Sequence, residues 1–398
     1  LLTVIAMVYQ SRREFEDISW TASVPLFLLF LFGMLEMVLY QSAYTQYMLN
    51  ICLCLTWLCY QLEHKLGRKM QIVFICYLAI LAMDGTRQFA EIFVPMLGAV
   101  ALDFYLENRR KKVTECLPDL KIAFKNILMI LAPAVCGLGL YMLVASTHSM
   151  GNSRNNRLQF ISNLDDLTGN FFALFKNTFS NFGFSTSAPL TSGMGLRTVM
   201  SVAIALLVVF ILPILQYVKY RQETRRVRVF LLYAGVHNLI SIILVVFFTK
   251  VTDRYMLTFL FVNILISAHY MAKYWFTEQT LREAVLALMI SGAVFYESLA
   301  IGYYGRIWQA RLKVENNVVS TLQAHNLTHG YASHAFCYQF SIYSDFSIQF
   351  TAVYMVKKGL KPSYWLGRSE WYDVDNYTGT SFLMLTQNEY DKAVSLGS

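Results

Sequence analysis

The sequence predicts an α-helical polytopic membrane protein with a small α/β domain at its C-terminal end. Three observations carry this prediction. Hydrophobic residues make up 56% of the 398 residues and charged residues only 15%, whereas charged residues make up about 25% of a soluble domain. Long apolar stretches recur between short polar loops through the first three quarters of the chain. From Tyr304 onwards, shorter alternating and turn-rich segments replace them.

The apolar stretches are long enough to cross a bilayer. A spanning helix needs about 20 apolar residues, and fewer where neighbouring helices bury its end. Residues 1–9 resemble the tail of one span, so we expect about nine to ten transmembrane helices in this chain. The chain starts without Met, and we expect an N-terminal portion upstream of it. The full predicted spans are 21–40, 43–60, 70–83, 88–106, 121–146, 198–218, 229–250, 255–273 and 284–304.

Basic residues are concentrated in every second loop between these spans. Short loops rich in Lys and Arg resist translocation, so these loops are predicted to be cytoplasmic. The same loops and anionic lipid account for the net charge of +8, which therefore does not indicate a nucleic-acid partner. The predicted location is the plasma membrane, with many passes. The basic residues concerned are Arg12, Arg13, Lys65, Arg68, Lys69, Arg109, Arg110, Lys111, Lys112, Lys219, Arg221, Arg225, Arg226, Arg228, Lys273 and Arg282.

Two domains follow from this pattern. Residues 1–305 form the transmembrane domain, with an outer loop at 147–196 that is either a lid or binding loop or a plain surface spacer. Residues 306–398 form a small extracytoplasmic α/β domain. Its predicted elements are a helix at Arg306–Asn326, strands at His329–Ala332, Asp345–Tyr354 and Thr380–Leu385, a turn at Lys357–Pro362 and a closing helix at Asn388–Val394.

Ionisable residues lie near the predicted outer ends of several spans, where each is a functional hypothesis because charge is costly in a membrane. Arg87 and Glu91 are four residues apart and can pair on one helical face, either as a structural pair or as a phosphate-binding arginine held by a carboxylate. Arg254 offers a second guanidinium; alternatively it is an interfacial residue after an Asp253 N-cap. We predict that Arg87 and Arg254 meet in one outer-facing cavity. His237 and Asn238, within a span, predict an interhelical hydrogen bond more than a proton relay.

Aromatic side chains alternate with acids near the C-terminus. Trp365, Trp371 and Tyr372 lie among Glu370 and Asp373. Aromatic faces with nearby carboxylates suit a sugar or another acceptor, and the alternative is a small domain's core with a membrane-contacting belt.

Two segments resemble the GT-C superfamily of polytopic membrane glycosyltransferases, in its bacterial, polyprenyl-phosphate-sugar-dependent form. One runs from Asp84-Gly-Thr-Arg87 through Pro95 to Gly98, and the other begins Asp253-Arg254-Tyr255. The tail segments Gly330-Tyr-Ala332 and Trp371-Tyr-Asp373 are similar to tails of bacterial members.

The resemblance implies transfer of a sugar from a polyprenyl-phosphate donor to a glycan or lipid acceptor on the outer face of the membrane. Arg87 and Arg254 would then hold the donor phosphate, and Tyr255 would line the same pocket. The family's catalytic acid usually lies in the first outer loop, upstream of this sequence. Some members use a divalent cation, Mg or Mn, for which no complete ligand set is visible here. The fallback bases within this sequence are Asp84, Glu36 and Glu91.

Other functions fit the same features. A transporter or flippase for lipid-linked glycans predicts charged groups at mid-membrane and a repeat between halves. A non-catalytic membrane protein of envelope assembly predicts partner binding through the tail. An O-antigen polymerase or ligase is the closest enzymatic alternative, since it also uses outer-face arginines and a large outer loop.

Overall fold

The structure is a computed structural model, and it describes residues 45–63, 67–147, 160–161, 163–186, 189–248, 256–275, 279–356, 359–363, 372–373 and 379–397. The predicted segments 1–9 and 21–40 and the predicted site residues Glu36, Arg254, Tyr255, Trp365 and Trp371 lie outside these ranges. By internal contacts the chain divides into two compact units. Unit 1 is 1–144 with 158–300, and unit 2 is 145–157 with 301–398.

All the regular secondary structure of unit 1 among its described residues is helical. Three of its helices contain a π-helical stretch. The helices are α1 (Thr45–Leu62), α2 (Arg68–Ala82), α3 (Thr86–Gln88, π-helical Phe89–Phe93 and Val94–Asn108), α4 (Val113–Thr147), α5 (Leu164–Ser180), α6 (Gly193–Ala205, π-helical Leu206–Ile211 and Leu212–Val218), α7 (Arg225–Phe247), α8 (Leu257–Tyr270 and π-helical Met271–Trp275) and the first part of α9 (Gln279–Ala324).

Four of the described helices are long and apolar enough to cross a membrane: Phe89–Asn108, Thr114–Val144, Gly193–Val218 and Arg225–Phe247. They correspond to α3, α4, α6 and α7. Much of α4 faces outward with apolar side chains, as a lipid-facing helix does; Phe124 is 64% exposed. A polytopic helical membrane protein is consistent with these four helices, and the larger number of nine to ten spans stays a prediction.

Close packing of small residues brings pairs of these helices together. Gly98 of α3 lies against Val236 of α7, and Gly137 of α4 lies against the Ala79 carbonyl of α2. Without a hydrophobic force between helices in lipid, such close backbone approach is a main source of helix association. The side chains of Trp57 and Phe261 are fully buried in the same core.

Ion pairs join the loops that the charge pattern assigned to the cytoplasm. Glu63, just after α1, accepts from Arg226 of α7, with 2.6 Å between Oε2 and Nη2. Asp103, near the end of α3, accepts from Arg225 at 2.9 Å. The ends of α1 and α3 and the start of α7 therefore lie together, at what we call the basic end of unit 1.

Glu223, which precedes α7, contacts the last turns of α8, so these turns also lie at the basic end. Its buried carboxylate accepts hydrogen bonds from Lys273 Nζ at 2.8 Å and the Tyr274 hydroxyl at 2.7 Å, and His269 Nε2 lies 3.3 Å away. Burial by itself raises the pKa of Glu223, but the hydrogen bonds from His269, Lys273 and Tyr274 together hold that pKa well below its ordinary value. The charged form of the carboxylate is thus part of the folded structure.

Unit 2 is a small α/β domain. Its sheet has the order β3-β2-β1-β4, in which β1 is parallel to both β2 and β4 and β2 is antiparallel to β3. The elements after α9 are β1 (His329–Ala332), α10 (His334–Tyr343), β2 (Gln349–Val356), β3 (Gly359–Pro362), β4 (Ser381–Met384) and α11 (Gln387–Gly397).

The helix α10 connects the parallel strands β1 and β2, as parallel pairing requires, and was not predicted. The predicted strand at 345–354 begins later because Asp345 and Phe346 have positive φ, of 54° and 60°, and form a turn. The predicted turn at 357–362 contains β3. The predicted helices at 284–304 and 306–326 are one continuous helix, α9. The core of unit 2 includes Val319 of α9, Phe340 of α10 and Phe350 of β2.

Candidate functional site at the Asp84 turn

A polar turn that contains Asp84 and Gly85 follows α2, the helix formed by the predicted span 70–83. α2 ends at Ala82, and backbone hydrogen bonds from Asp84 N to Leu81 O (3.2 Å) and from Gly85 N to Ala82 O (3.3 Å) close the turn. Gly85 has φ +104°, a conformation that side chains strongly disfavour. A Cβ at Gly85 would lie 3.8 Å from Cζ of Tyr141 in α4. Glycine is therefore needed for the backbone conformation and not for space.

The helix that follows is locally widened at Phe89–Phe93. Pro95 has no N–H, so the Glu91 carbonyl lacks the donor it would find in a regular α-helix. Instead, the Tyr233 hydroxyl of α7 donates to the Glu91 carbonyl oxygen at 3.0 Å. Val94 N meanwhile bonds to Phe89 O, the longer spacing of a π-helix. Single π-helical turns of this kind occur frequently at functional sites.

Arg87 and Glu91 form the predicted pair on this widened turn. Arg87 Nε lies 2.7 Å from Glu91 Oε1, and the Arg87 side chain keeps 23% of its exposure. Its guanidinium lies 4.3 Å from the centroid of the Tyr47 ring in α1. Glu91 is buried, and Thr258 of α8 lies beside its carboxylate. Side chains of α1 and α3 thus hold the guanidinium at the start of α3, and α8 lies beside the carboxylate that pairs with it.

Asp84 lies on the exposed side of the same turn. Its Oδ2 accepts from Gln88 Nε2 at 2.9 Å, and the Asp84 residue is exposed while Gln88 is fully buried. Because the Gln88 amide is buried, its hydrogen bond fixes the position of the Asp84 carboxylate. The site therefore presents an oriented acid next to a held guanidinium.

Each carboxylate of the turn uses one oxygen in a hydrogen bond: Asp84 Oδ2 accepts from the Gln88 amide, and Glu91 Oε1 accepts from the Arg87 guanidinium. Among the residues that the structure describes, no group of three or more His, Cys, Asp or Glu side chains is placed to hold a metal ion.

Arg197 is a buried arginine that is not among the predicted site residues. It lies in the first turns of α6 and is only 3% exposed. Its Nη2 lies 3.6 Å from Glu297 Oε1, and its guanidinium lies 4.7 Å from the centroid of the Tyr296 ring. The Tyr296 hydroxyl also donates to the Phe182 carbonyl, which ties the end of α5 to α9.

A helix-start signal could have identified Arg197. The predicted span began at 198, which left this arginine outside. Ser192 is a strong N-cap residue, and its Oγ accepts from Gly195 N at 3.0 Å, so α6 begins at Gly193. The earlier start places Arg197 inside the helix.

The polar groups within α7 and α8 form the predicted interhelical hydrogen bond. Asn238 of α7 and Asn263 of α8 exchange reciprocal amide hydrogen bonds at 3.0 and 3.2 Å. His237 is fully buried and stacks on Tyr233 with ring centroids 6.0 Å apart. Of the two residues in that prediction, Asn238 makes the interhelical bond, and the ring nitrogens of His237 do not contribute to it among the described residues.

The structure brings Asp84, Arg87 and Glu91 together. It places Tyr372 in unit 2, where the hydroxyl lies 2.6 Å from the Ala352 carbonyl and 2.8 Å from that of Ser363. Tyr372 thus bonds inside its own domain, as the structural alternative expects. Comparison with known proteins adds no relative: no protein-family model, no curated protein and no solved structure matches the chain.

Proposed function

We propose that this chain is a membrane glycosyltransferase that moves a sugar from a polyprenyl-phosphate donor to a glycan or lipid acceptor at the Asp84 turn. The observation that carries the proposal is the held guanidinium of Arg87, placed between Glu91 and Tyr47 at the end of a membrane-spanning helix. A lipid carrier has its tail among helices and its phosphate at their ends, and an arginine at that level suits the phosphate.

The position of Arg87 along α3 fits an outer-face site. Asp103 of the same helix belongs to the basic end, which the positive-inside rule assigns to the cytoplasm. Sixteen residues separate Arg87 from Asp103. At 1.5 Å per helical residue this is about 24 Å, close to the thickness of a hydrocarbon core. The plasma membrane and an outer C-terminal domain remain part of this proposal.

Arg87 would act on the leaving group. The acceptor oxygen forms a bond to the anomeric carbon while the bond from that carbon to the phosphate oxygen breaks. The electron pair of the broken bond stays on the phosphate, where a fixed guanidinium neutralises it without reorganisation. Glu91 and Tyr47 hold that guanidinium in place before the donor arrives.

A carboxylate must take the proton of the acceptor hydroxyl. Among the fallback acids, Asp84 suits this role better than Glu91, because Asp84 is exposed whereas Glu91 is buried and paired with Arg87.

The proposal is tested with the purified full chain in lipid nanodiscs. Wild type is expected to retain a polyprenyl phosphate over the matching polyprenol, which lacks the phosphate. Arg87→Ala should lower this retention about ten- to a hundred-fold, because a charge-assisted hydrogen bond to phosphate contributes about 1.5–3 kcal/mol. Arg221→Ala, which removes an exposed arginine of the basic-end loop, is the matched control.

Measurement of sugar transfer distinguishes an enzyme from a protein that only carries the lipid-linked sugar. In cells, Arg87→Ala and Asp84→Asn should abolish the glycan product while the protein inserts normally. Equal retention of the phosphate and the alcohol by wild type would contradict the phosphate site. Retention of the donor without any sugar transfer would favour a transporter of lipid-linked glycans.

A further inference from the structure

A cavity of about 260 Å³ opens at the basic end of unit 1, between the ends of α1 and α3 and the starts of α4 and α7. It is far larger than a single water, which occupies roughly 30 Å³ in the liquid. The proposed glycosyltransferase chemistry makes no use of it. Apolar side chains, among them Phe104 and Ile122, share its wall with charged ones.

The charges of the cavity wall balance. Each basic side chain of the wall pairs with an acid of the wall, so the wall favours neither a lone anion nor a lone cation. The pairs are Arg225 with Asp103 at 2.9 Å, Arg228 with Glu107 at 3.1 Å and Lys111 with Asp119 at 2.8 Å.

Two buried amides of the wall have an atom without a hydrogen-bond partner among the described residues. Asn126 is 1% exposed; its Oδ1 accepts from Gln61, but its Nδ2 has no acceptor. Asn108 is 7% exposed; its Nδ2 donates to Phe104 O, but its Oδ1 has no donor. The buried Nε of Arg228 likewise has no acceptor. Leaving such groups unsatisfied costs about 1–3 kcal/mol each, so the cavity suits a ligand with both acceptors and donors.

The cavity adjoins a lipid-facing helix surface. Asp119, Ile122 and Asn126 of α4 recur at helical spacing on the cavity side. Leu120 and Phe124 of the same turns are 48% and 64% exposed and apolar. These turns begin the membrane-spanning part of α4, so they lie at the depth of lipid headgroups.

We propose that this cavity binds a phosphoethanolamine group, the zwitterionic headgroup of an aminophospholipid in the adjoining leaflet. The phosphate oxygens accept from Asn126 Nδ2 and Arg228 Nε. The ammonium donates to Asn108 Oδ1 and to the neighbouring carboxylate of Glu107. The balanced wall accommodates both charges of the ligand, and the apolar residues cover the first carbons of its acyl chains.

The test uses nondenaturing mass spectrometry of the purified full chain with equal amounts of phosphatidylethanolamine, phosphatidylcholine and phosphatidylglycerol. Phosphatidylcholine has no N–H to donate, and phosphatidylglycerol has no cation. Wild type should retain phosphatidylethanolamine about ten-fold over each of the others. Asn126→Leu and Arg228→Gln should both lose this preference, and Arg221→Gln, outside the cavity, should keep it.

Gel filtration reports whether each variant folds. If a variant fails to fold, the lipid preference of wild type alone decides the proposal. Equal retention of the three lipids, or an unchanged preference in both folded cavity variants, would overturn it. A further arm adds soluble phosphoethanolamine at millimolar concentration. Displacement of the lipid would support the headgroup chemistry but assign it to a soluble ligand, and failure to displace supports the lipid as the source.

Discussion

The hydroxyl of Tyr233 donates to the backbone carbonyl of Glu91 at 3.0 Å, where the missing N–H of Pro95 leaves an acceptor without its helical donor. A side chain of α7 thus completes the main-chain bonding of α3. The same turn carries Arg87, so the position of the guanidinium depends on a contact between two membrane-spanning helices.

Tyr233→Phe should lower the free energy of unfolding by about 1–3 kcal/mol, because it leaves a buried carbonyl without a partner. The measurement is reversible unfolding of the purified protein in mixed micelles. Tyr105→Phe, which changes a tyrosine that is 60% exposed, should leave the free energy within about 0.5 kcal/mol of wild type.

Pro95→Ala tests the cause of that effect. Alanine restores the N–H at position 95, so Tyr233→Phe should destabilise the Pro95→Ala protein less than it destabilises wild type. The double-mutant cycle reports the difference directly. An equal cost in both backgrounds would show that the tyrosine does not replace the missing helical donor.

Gly137 and Gly139 of α4 form a matched pair for the packing of α4 on α2. A Cβ at Gly137 would lie 2.1 Å from the Ala79 carbonyl oxygen, whereas a Cβ at Gly139 meets nothing within 4 Å. Gly137→Ala should therefore separate the helices and cost about 1–3 kcal/mol, as overpacking does. Gly139→Ala should be neutral or slightly stabilising, because alanine favours helix. Thermal unfolding in detergent measures both; equal shifts would contradict the contact.

Because the ionised carboxylate of Glu223 stabilises the fold, we expect the free energy of unfolding to fall on acidification. Its pKa is lower in the folded protein than in the unfolded chain, so its contribution is complete above the unfolded value of about 4.3 and is lost as the pH drops below it. Glu223→Gln should be destabilised by about 3 kcal/mol at pH 7, since it breaks a buried pair. The difference in free energy of unfolding between wild type and Glu223→Gln should become smaller below about pH 4.3.

Unfolding titrations between pH 7 and pH 3 measure that gap. Glu115→Gln, at an exposed acid in the first turn of α4, serves as the control and should follow wild type throughout. A gap that stays constant down to pH 3 would show that the Glu223 carboxylate gains nothing from its ionised form.

Local patterns in the sequence were sufficient to predict much of unit 1. Apolar length located the helices, and the four-residue spacing of Arg87 and Glu91 was enough to predict their pair, because helix geometry alone brings such residues together. The charge sorting likewise predicted that the loops around Glu63 and Arg226 share one end.

Features that depend on distant partners were not predictable in this way. The π-helical turn needs Tyr233, which lies 142 residues from Glu91. Asn238, and not His237, bonds across to α8 because the rotation of α7 decides which neighbour faces the partner helix. The helix α10 was missed because His334–Tyr343 is short and apolar, and periodicity alone does not distinguish such a run from a strand.

The arginines at the start of α7 have two separate roles, one in membrane insertion and one in helix packing. In the nascent chain, Arg225, Arg226 and Arg228 are bare positive charges that resist translocation and so orient the span. After folding, each faces an acid from another helix: Asp103, Glu63 and Glu107. Lysine at position 226 would preserve the orientation signal but lose the planar, bidentate contact of Arg226 with Glu63. A substitution at one of these arginines can therefore leave the orientation of the span in the membrane intact and still impair the packing of the helices.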